Sequence, residues 1–343
     1  MRLPQEINLL LTSRMGAYYR PDPQGVTNTL GFGPDELRAY LGTYWPRSFT
    51  ESCHVFHALL HNPAFCTALK KKNRLRILDI GAGTGGDLMG LLWLLRACGG
   101  NGRWALDVTA IDGNEKALAI QAAILKPFFG DSLQLRSIPH IFRNREDLER
   151  ILPQLADAQN DRYDIVISSK FVNEFYRTPE NYTRNQGLYT TLMRIAGDSL
   201  APTGCAILID VNDKCYGGFF SQILNRETRK YLSTSREGLV PIFPIPCLLW
   251  HNQCASSHDC FNQAIYPIAH TMLPRNIAED RCKIAVKVLA HSHFAQAIAN
   301  RVRRQTCYAV AWSPRGTDVC RNGRRFSTNN PTPPDGYSFE QAG

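Results

Sequence analysis

The stretch Arg76-Ile77-Leu78-Asp79-Ile80-Gly81-Ala82-Gly83-Thr84-Gly85-Gly86-Asp87 decides how the 343-residue chain is read. Its first five residues form a short, mostly apolar strand, and the glycines that follow read as a tight turn. From 87 to 96 almost every position is apolar, which predicts a helix buried on most of its circumference. Strand, glycine turn and buried helix, in that order, open an α/β unit.

The pattern repeats outward. Asp107-Val108-Thr109-Ala110-Ile111-Asp112 reads as a second strand followed by a helix over 115–125, and Tyr163-Asp164-Ile165-Val166-Ile167-Ser168-Ser169 reads as a later core strand. A helix over 188–200 leads into another strand, 204–211. Alternation of this kind predicts an α/β fold: a doubly wound, Rossmann-like, largely parallel sheet with its ligand site at the carboxyl ends of the strands. Residues 1–70 read as a helical lead-in, with a helix start at Pro34-Asp35-Glu36-Leu37 and a turn over 40–49 before another helix. The sheet domain is expected over 71–238. Pro241, Pro244 and Pro246 then break the chain, and 239–326 reads as a small cysteine-containing module with a strand over 283–288 and a helix near 293–301. The tail, 327–343, is rich in Pro, Asn and Ser and reads as disordered.

Glycines at 81, 83 and 85 let a backbone turn sharply and approach a ligand closely. Gly81, Gly83 and Gly86 also satisfy the dinucleotide spacing Gly-x-Gly-x-x-Gly, so a nicotinamide cofactor is the alternative. Asp79 ahead of the turn and the 163–169 segment favour S-adenosylmethionine. The expected contacts are Asp79, Gly81, Ala82, Gly83, Thr84, Gly85 and Ser168, with Asp112 accepting hydrogen bonds from the ribose hydroxyls. Methyl transfer from a sulfonium asks mainly for in-line positioning of an electron-rich acceptor. Asn173 and Glu174 are the candidate catalytic residues on the acceptor side; the alternative is that Asn173 caps a helix and Glu174 faces solvent.

A net charge of +9 and a pI near 9.0 favour a polyanionic partner, a solubility feature being the alternative, and only the family resemblance makes that partner RNA and not DNA. No apolar run is long enough for a membrane span, and the early acid in Met1-Arg2-Leu3-Pro4-Gln5-Glu6 argues against a secretory signal, which makes the cytoplasm the expected compartment. Among eleven cysteines, Cys247, Cys254 and Cys260 stand at C-x6-C-x5-C beside His251 and His258. Thiolates are the soft ligands that zinc and iron–sulfur clusters use. The fourth ligand would come from Cys282, Cys307, Cys320 or one of the histidines. Scattered buried thiols are the alternative, and Cys53, Cys66, Cys98, Cys205 and Cys215 are read that way.

Four segments together resemble the ribosomal small-subunit methyltransferase-like family. They are Tyr40-Leu41-Gly42-Thr43-Tyr44-Trp45-Pro46-Arg47-Ser48-Phe49, the turn at 78–85, Tyr163 through Asn173-Glu174-Phe175, and Cys247, Cys254 and Asp259-Cys260-Phe261-Asn262-Gln263. Asp259 stands where the family has Trp. The resemblance implies a class I methyltransferase that uses S-adenosylmethionine on ribosomal RNA, with the small ribosomal subunit as partner. It also implies a 4Fe-4S cluster, with zinc as the alternative, on Cys247, Cys254, Cys260 and, in its Cys-x-x-Gly context, Cys320. Two rival readings remain: a non-catalytic ribosome-binding or assembly factor that keeps the pocket, and a methyltransferase for small molecules or proteins.

Overall fold

The computed structural model describes residues 1–21, 29–99, 102–156, 162–235, 238–243, 264–270, 272 and 277–300. Among the described residues, four α-helices lead in: α1 (Gln5–Leu9), α2 (Pro34–Thr43), α3 (Trp45–Leu60) and α4 (Pro63–Lys70). The segment 40–49, expected as a turn, is instead the end of α2 and the start of α3, with only Tyr44 between them. Pro46 explains the difference, because a proline in the first helical turn has no hydrogen bond to lose.

The sheet domain runs β1 (Arg74–Ile80), α5 (Gly86–Gly99), β2 (Ala105–Asp112), α6 (Glu115–Phe129), β3 (Leu133–Pro139), α7 (Arg145–Ala156) and β4 (Tyr163–Ser169). It continues through α8 (Pro179–Asn185), α9 (Leu188–Ser199), β5 (Leu200–Val211), a small hairpin of β6 (Lys214–Cys215) and β7 (Gly218–Phe219), and α10 (Phe220–Thr234). The last elements are β8 (Leu239–Phe243), β9 (Ala264–His270), β10 (Ile277–His291) and α11 (Ser292–Ala299).

The main sheet has eight strands in the order β3-β2-β1-β4-β5-β10-β8, with β9 also paired to β10. Strands β1 to β5 are mutually parallel, whereas β10 runs antiparallel to β5, β8 and β9. The first five strands have the doubly wound order, and the antiparallel β10 beside β5 departs from the all-parallel dinucleotide-binding sheet. This is a Rossmann-like α/β sheet with a helical lead-in. The sequence boundary at 238 falls within it, since β8 and β10 lie beyond that point and pair into the same sheet. Pro241 sits inside β8, which ends the strand order; an edge strand tolerates the missing N–H.

Alternate residues of the central strands enter two cores. Ile77, Ile165, Ile167, Ile207 and Ile209 join the cluster with α3, α5 and α11, while Leu78, Val166, Ala206 and Leu208 join the one with α9 and α10. Helix α5 is buried between the sheet and α3, which is why its sequence is apolar on nearly every side. Gly90 permits the close approach of α3: a Cβ there would lie 2.4 Å from the carbonyl oxygen of Phe49.

Candidate functional site

The strand order reverses between β1 and β4, so a crevice opens at the carboxyl ends of these two strands. The glycine turn enters it from β1 and the segment 170–175 enters it from β4. Gly81, Gly83 and Gly85 have φ of 73°, 50° and 75°, in the left-handed region where a side chain is strained. Gly81 must also clear Phe171, whose ring carbon Cδ2 would lie 2.6 Å from an added Cβ, whereas above Gly83 there is open space. The turn is tied to β2 by Gly81 N and Ala82 N donating to the carbonyl of Ile111, and by Gly83 N donating to Asp112 Oδ2 at 2.8 Å. The buried Trp45 secures its far side, with Nε1 donating to the carbonyl of Thr84 at 3.1 Å.

Acids gather around this turn. Asp79 is fully buried; Gln121 Nε2 donates to its Oδ2 at 3.2 Å, and its Oδ1 has no partner among the described residues. Burial, then the charge of Asp87, pushes the Asp79 carboxyl well above the usual range. Asp87, in the first turn of α5, has a buried Oδ2 without a partner among the described residues, and burial raises its pKa to about 7 against hydrogen bonds from its own N–H and that of Leu88 and the pull of Lys170. Asp112 accepts from Gly83 N and Asn114 N (2.7 Å), and burial raises its pKa despite those bonds. Each of its oxygens keeps a second lone pair for a ligand hydroxyl. Ser168 is buried on β4 in register with Ile80.

The wall opposite the turn rests on a network absent from the sequence reading. Asp210 at the end of β5 is buried and accepts from Tyr189 Oη (2.7 Å), Val211 N (2.8 Å), Asn173 Nδ2 (2.8 Å) and Asn173 N (3.1 Å). Burial outweighs those bonds and raises its pKa to about 6. Asn173 thus spends its amide on Asp210 and on the carbonyl of Lys170, while its Oδ1 accepts from Arg177 at 2.9 Å. Glu174, one residue on in the 3-10 turn Val172–Phe175, is open to the solvent in the crevice and hydrogen-bonded to Thr29. Surrounding protein atoms, then the charge of Asp112, raise its pKa to about 7 against the pull of Arg177 and the hydrogen bond with Thr29.

Lys170 is the one non-glycine residue with positive φ among the described residues (57°). Its Nζ lies 2.7 Å from Oε2 of the buried Glu51 and donates to Ser48 Oγ at 3.0 Å, so strand β4 is pinned to α3 beside the turn. Tyr40 of α2 lies among Glu174, Asp87, Asp112 and Glu51, and burial with those charges holds its phenol above the ordinary value. At the ends of β2 and β3, the exposed apolar side chains of Leu30 and Ile141 flank Gly113. Gln121 and Asp210 lie in no motif of the sequence, and Trp45 and Lys170 lie within the segments 40–49 and 163–175 without being singled out there. Cys247, Cys254, Cys260 and Cys320 lie outside the described residues, and among the described residues no cluster of three His, Cys, Asp or Glu is arranged to hold a metal ion. No described helix is long and apolar enough to cross a membrane.

A scan against protein families finds no match for this sequence, and a search among curated proteins finds none either. Solved structures do resemble it. An S-adenosylmethionine-dependent methyltransferase from Agrobacterium tumefaciens is 14% identical over 68% of this chain and 62% of its own, with a TM-score of 0.37. The chain therefore spans less than two thirds of that protein. Magnesium protoporphyrin IX methyltransferase from Synechocystis, solved with S-adenosylmethionine, is 12% identical over 84% of this chain and 100% of its own, at 0.37. TrmN from Thermus thermophilus is 17% identical over 73% and 53%, at 0.34. Likenesses this distant carry no activity across.

Proposed function

We propose that the chain is an S-adenosylmethionine-dependent methyltransferase that acts on RNA, ribosomal RNA of the small subunit being the substrate implied by the sequence resemblance. The observation that carries the cofactor is the pair of buried acids at the glycine turn. A dinucleotide places its pyrophosphate at the N-terminus of the helix after such a turn. Here the Asp87 carboxylate already takes the N–H groups at that end of α5, and Asp79 adds a second buried acid with an unpartnered oxygen. A diphosphate would find the N–H groups of Asp87 and Leu88 already engaged, whereas a ligand with ammonium and sulfonium charges favours the ionised form of both acids and binds it.

When bound, S-adenosylmethionine supplies an electrophilic methyl group. Asp79 would hold its ammonium group, the open space over Gly83 its amino-acid chain, Asp112 its ribose hydroxyls, and Leu30 and Ile141 the faces of its base. Ala82, Thr84 and Ser168, buried beside the turn, shape the floor of the site. Asn173 is a positioning residue that fixes the acceptor-side turn through Asp210 and Arg177. Glu174 reaches the crevice and would accept a hydrogen bond or proton from the acceptor.

The net charge of +9 supports the polyanionic acceptor. The four cysteines complete the proposal as ligands of an iron–sulfur cluster, zinc being the alternative, and iron and sulfide analysis of anaerobically purified protein decides between them. The decisive experiment pairs calorimetric titration with S-adenosylmethionine and transfer of a radiolabelled methyl group to RNA. The wild type should bind and transfer. Asp79→Ala and Asp112→Ala should lose both, and Glu174→Gln should lose transfer while keeping cofactor affinity. RNA association without any transfer by the wild type would overturn the catalytic reading in favour of a non-catalytic binding factor.

A further inference from the structure

The opposite end of the sheet carries a second feature. Where the amino ends of β1 and β5 meet α4 and α11, a groove of about 810 Å3 is lined by Thr67, Lys71, Lys72, Thr203 and Asn300, with a proline and three alanines making up the rest. Asn62, the N-cap of α4, donates to the carbonyl of Ile298 at 3.1 Å and so joins the two helices that form the walls. Lys72 is held at 2.6 Å from Asp164, whose other oxygen accepts from Arg76 N.

Around the groove the charge is positive and unspent. Lys70, Lys71 and Arg74 are exposed, and none makes an ion pair among the described residues. Arg103 donates to the carbonyl of Lys70 and Arg162 to that of Leu200, which brings two further exposed cations to this end. The acids here on β2 and β4, Asp107 and Asp164, are already engaged by Arg76 and Lys72.

We infer that this groove docks the phosphodiester backbone of RNA, an inference that rests on the RNA reading above. Exposed cations over hydroxyl and amide donors are the chemistry that neutralises and positions phosphates without reading sequence. A membrane surface fits less well, because the large exposed apolar residues among those described are Leu9, Leu30, Ile141 and Tyr216, none of which lines the groove. The seven residues of β1 separate groove from reaction crevice by roughly 20 Å at about 3.3 Å per residue. An acceptor that uses both must therefore be a chain, and a mononucleoside would reach one site alone.

The test is fluorescence anisotropy of the full chain with a labelled single-stranded RNA of about 30 nucleotides across a salt series. Lys70→Ala/Lys71→Ala/Arg74→Ala should lower the slope of log K against log salt by about 2 and weaken binding about 50-fold near 0.15 M salt, from about 0.7 per phosphate contact. Titration with S-adenosylmethionine and the melting temperature should be unchanged, and arginine at 70 and 71 with Arg74 retained should bind as the wild type does. Wild-type RNA binding that the triple variant keeps within about twofold overturns the groove and leaves the RNA reading standing. No RNA binding by the wild type overturns both, as does capture by phosphatidylserine vesicles without capture of RNA.

Discussion

Alanine at two glycines of the same turn separates its folding role from its ligand role. Both residues have positive φ, so each substitution costs about 1–2 kcal/mol of backbone strain. Gly81→Ala also drives a Cβ to 2.6 Å from Phe171 Cδ2 and 2.7 Å from Phe171 Cβ. Because the second contact lies at the root of the side chain, rotating the ring cannot relieve it and the backbone of 170–172 must shift. Overpacking of that kind adds about 1–3 kcal/mol. Gly83→Ala meets nothing within 4 Å, so only the strain remains, but the new methyl occupies the space assigned to the cofactor. Urea denaturation should show Gly81→Ala less stable than Gly83→Ala by about 1–3 kcal/mol. Titration with S-adenosylmethionine should show Gly83→Ala weaker by about 10- to 100-fold, an equivalent clash expressed in binding. Equal stability loss in the two variants would refute the Phe171 contact, and wild-type affinity in Gly83→Ala would refute the cofactor cradle.

Further outcomes follow from the buried polar groups. Asp87 has its folded pKa raised from the ordinary carboxyl range to about 7, so its contribution to ligand-free stability is fully present at low pH and is lost as pH rises through about 7. Asp87→Asn should flatten the melting-temperature profile between about pH 4 and 7 and raise it above pH 7; an unchanged profile would place the carboxyl in water. Trp45→Phe leaves the carbonyl of Thr84 without its donor and should cost about 1–3 kcal/mol in urea denaturation, with weaker cofactor binding because the turn is freed on that side. Lys170→Met strands the buried Glu51 and should cost about 3–5 kcal/mol, whereas Glu51→Gln/Lys170→Met should recover much of that; simple additivity in this double-mutant cycle would show that the pair is not coupled.

Much of the sheet was legible because its strands obey local rules. Strands β1, β2, β4 and β5 are apolar runs ended by turns, and α5 is apolar throughout, so each was evident from periodicity alone. Strand β3 was not. Leu133-Gln134-Leu135-Arg136-Ser137-Ile138-Pro139 lies at the sheet edge with polar residues facing outward, and half-buried alternation over seven residues is a weak signal. Strand β8 was hidden by Pro241, which reads as a breaker until its edge position is known.

The candidate site divides along the same line. The turn glycines, Asp79 and Asp112 stand near one another in sequence or at equivalent strand ends, where the α/β rule assigns them a place in advance. The pairing of Lys170 with Glu51, of Trp45 with Thr84, and of Asn173 with Asp210 joins residues 37 to 119 positions apart. No periodicity encodes such contacts; they exist only once α3 has packed on α5 and the strands have taken their order. Local pattern was therefore enough for β1, β2, β4, β5, α5 and the glycine turn, and packing alone determined the edge strands and which charges oppose one another across the crevice.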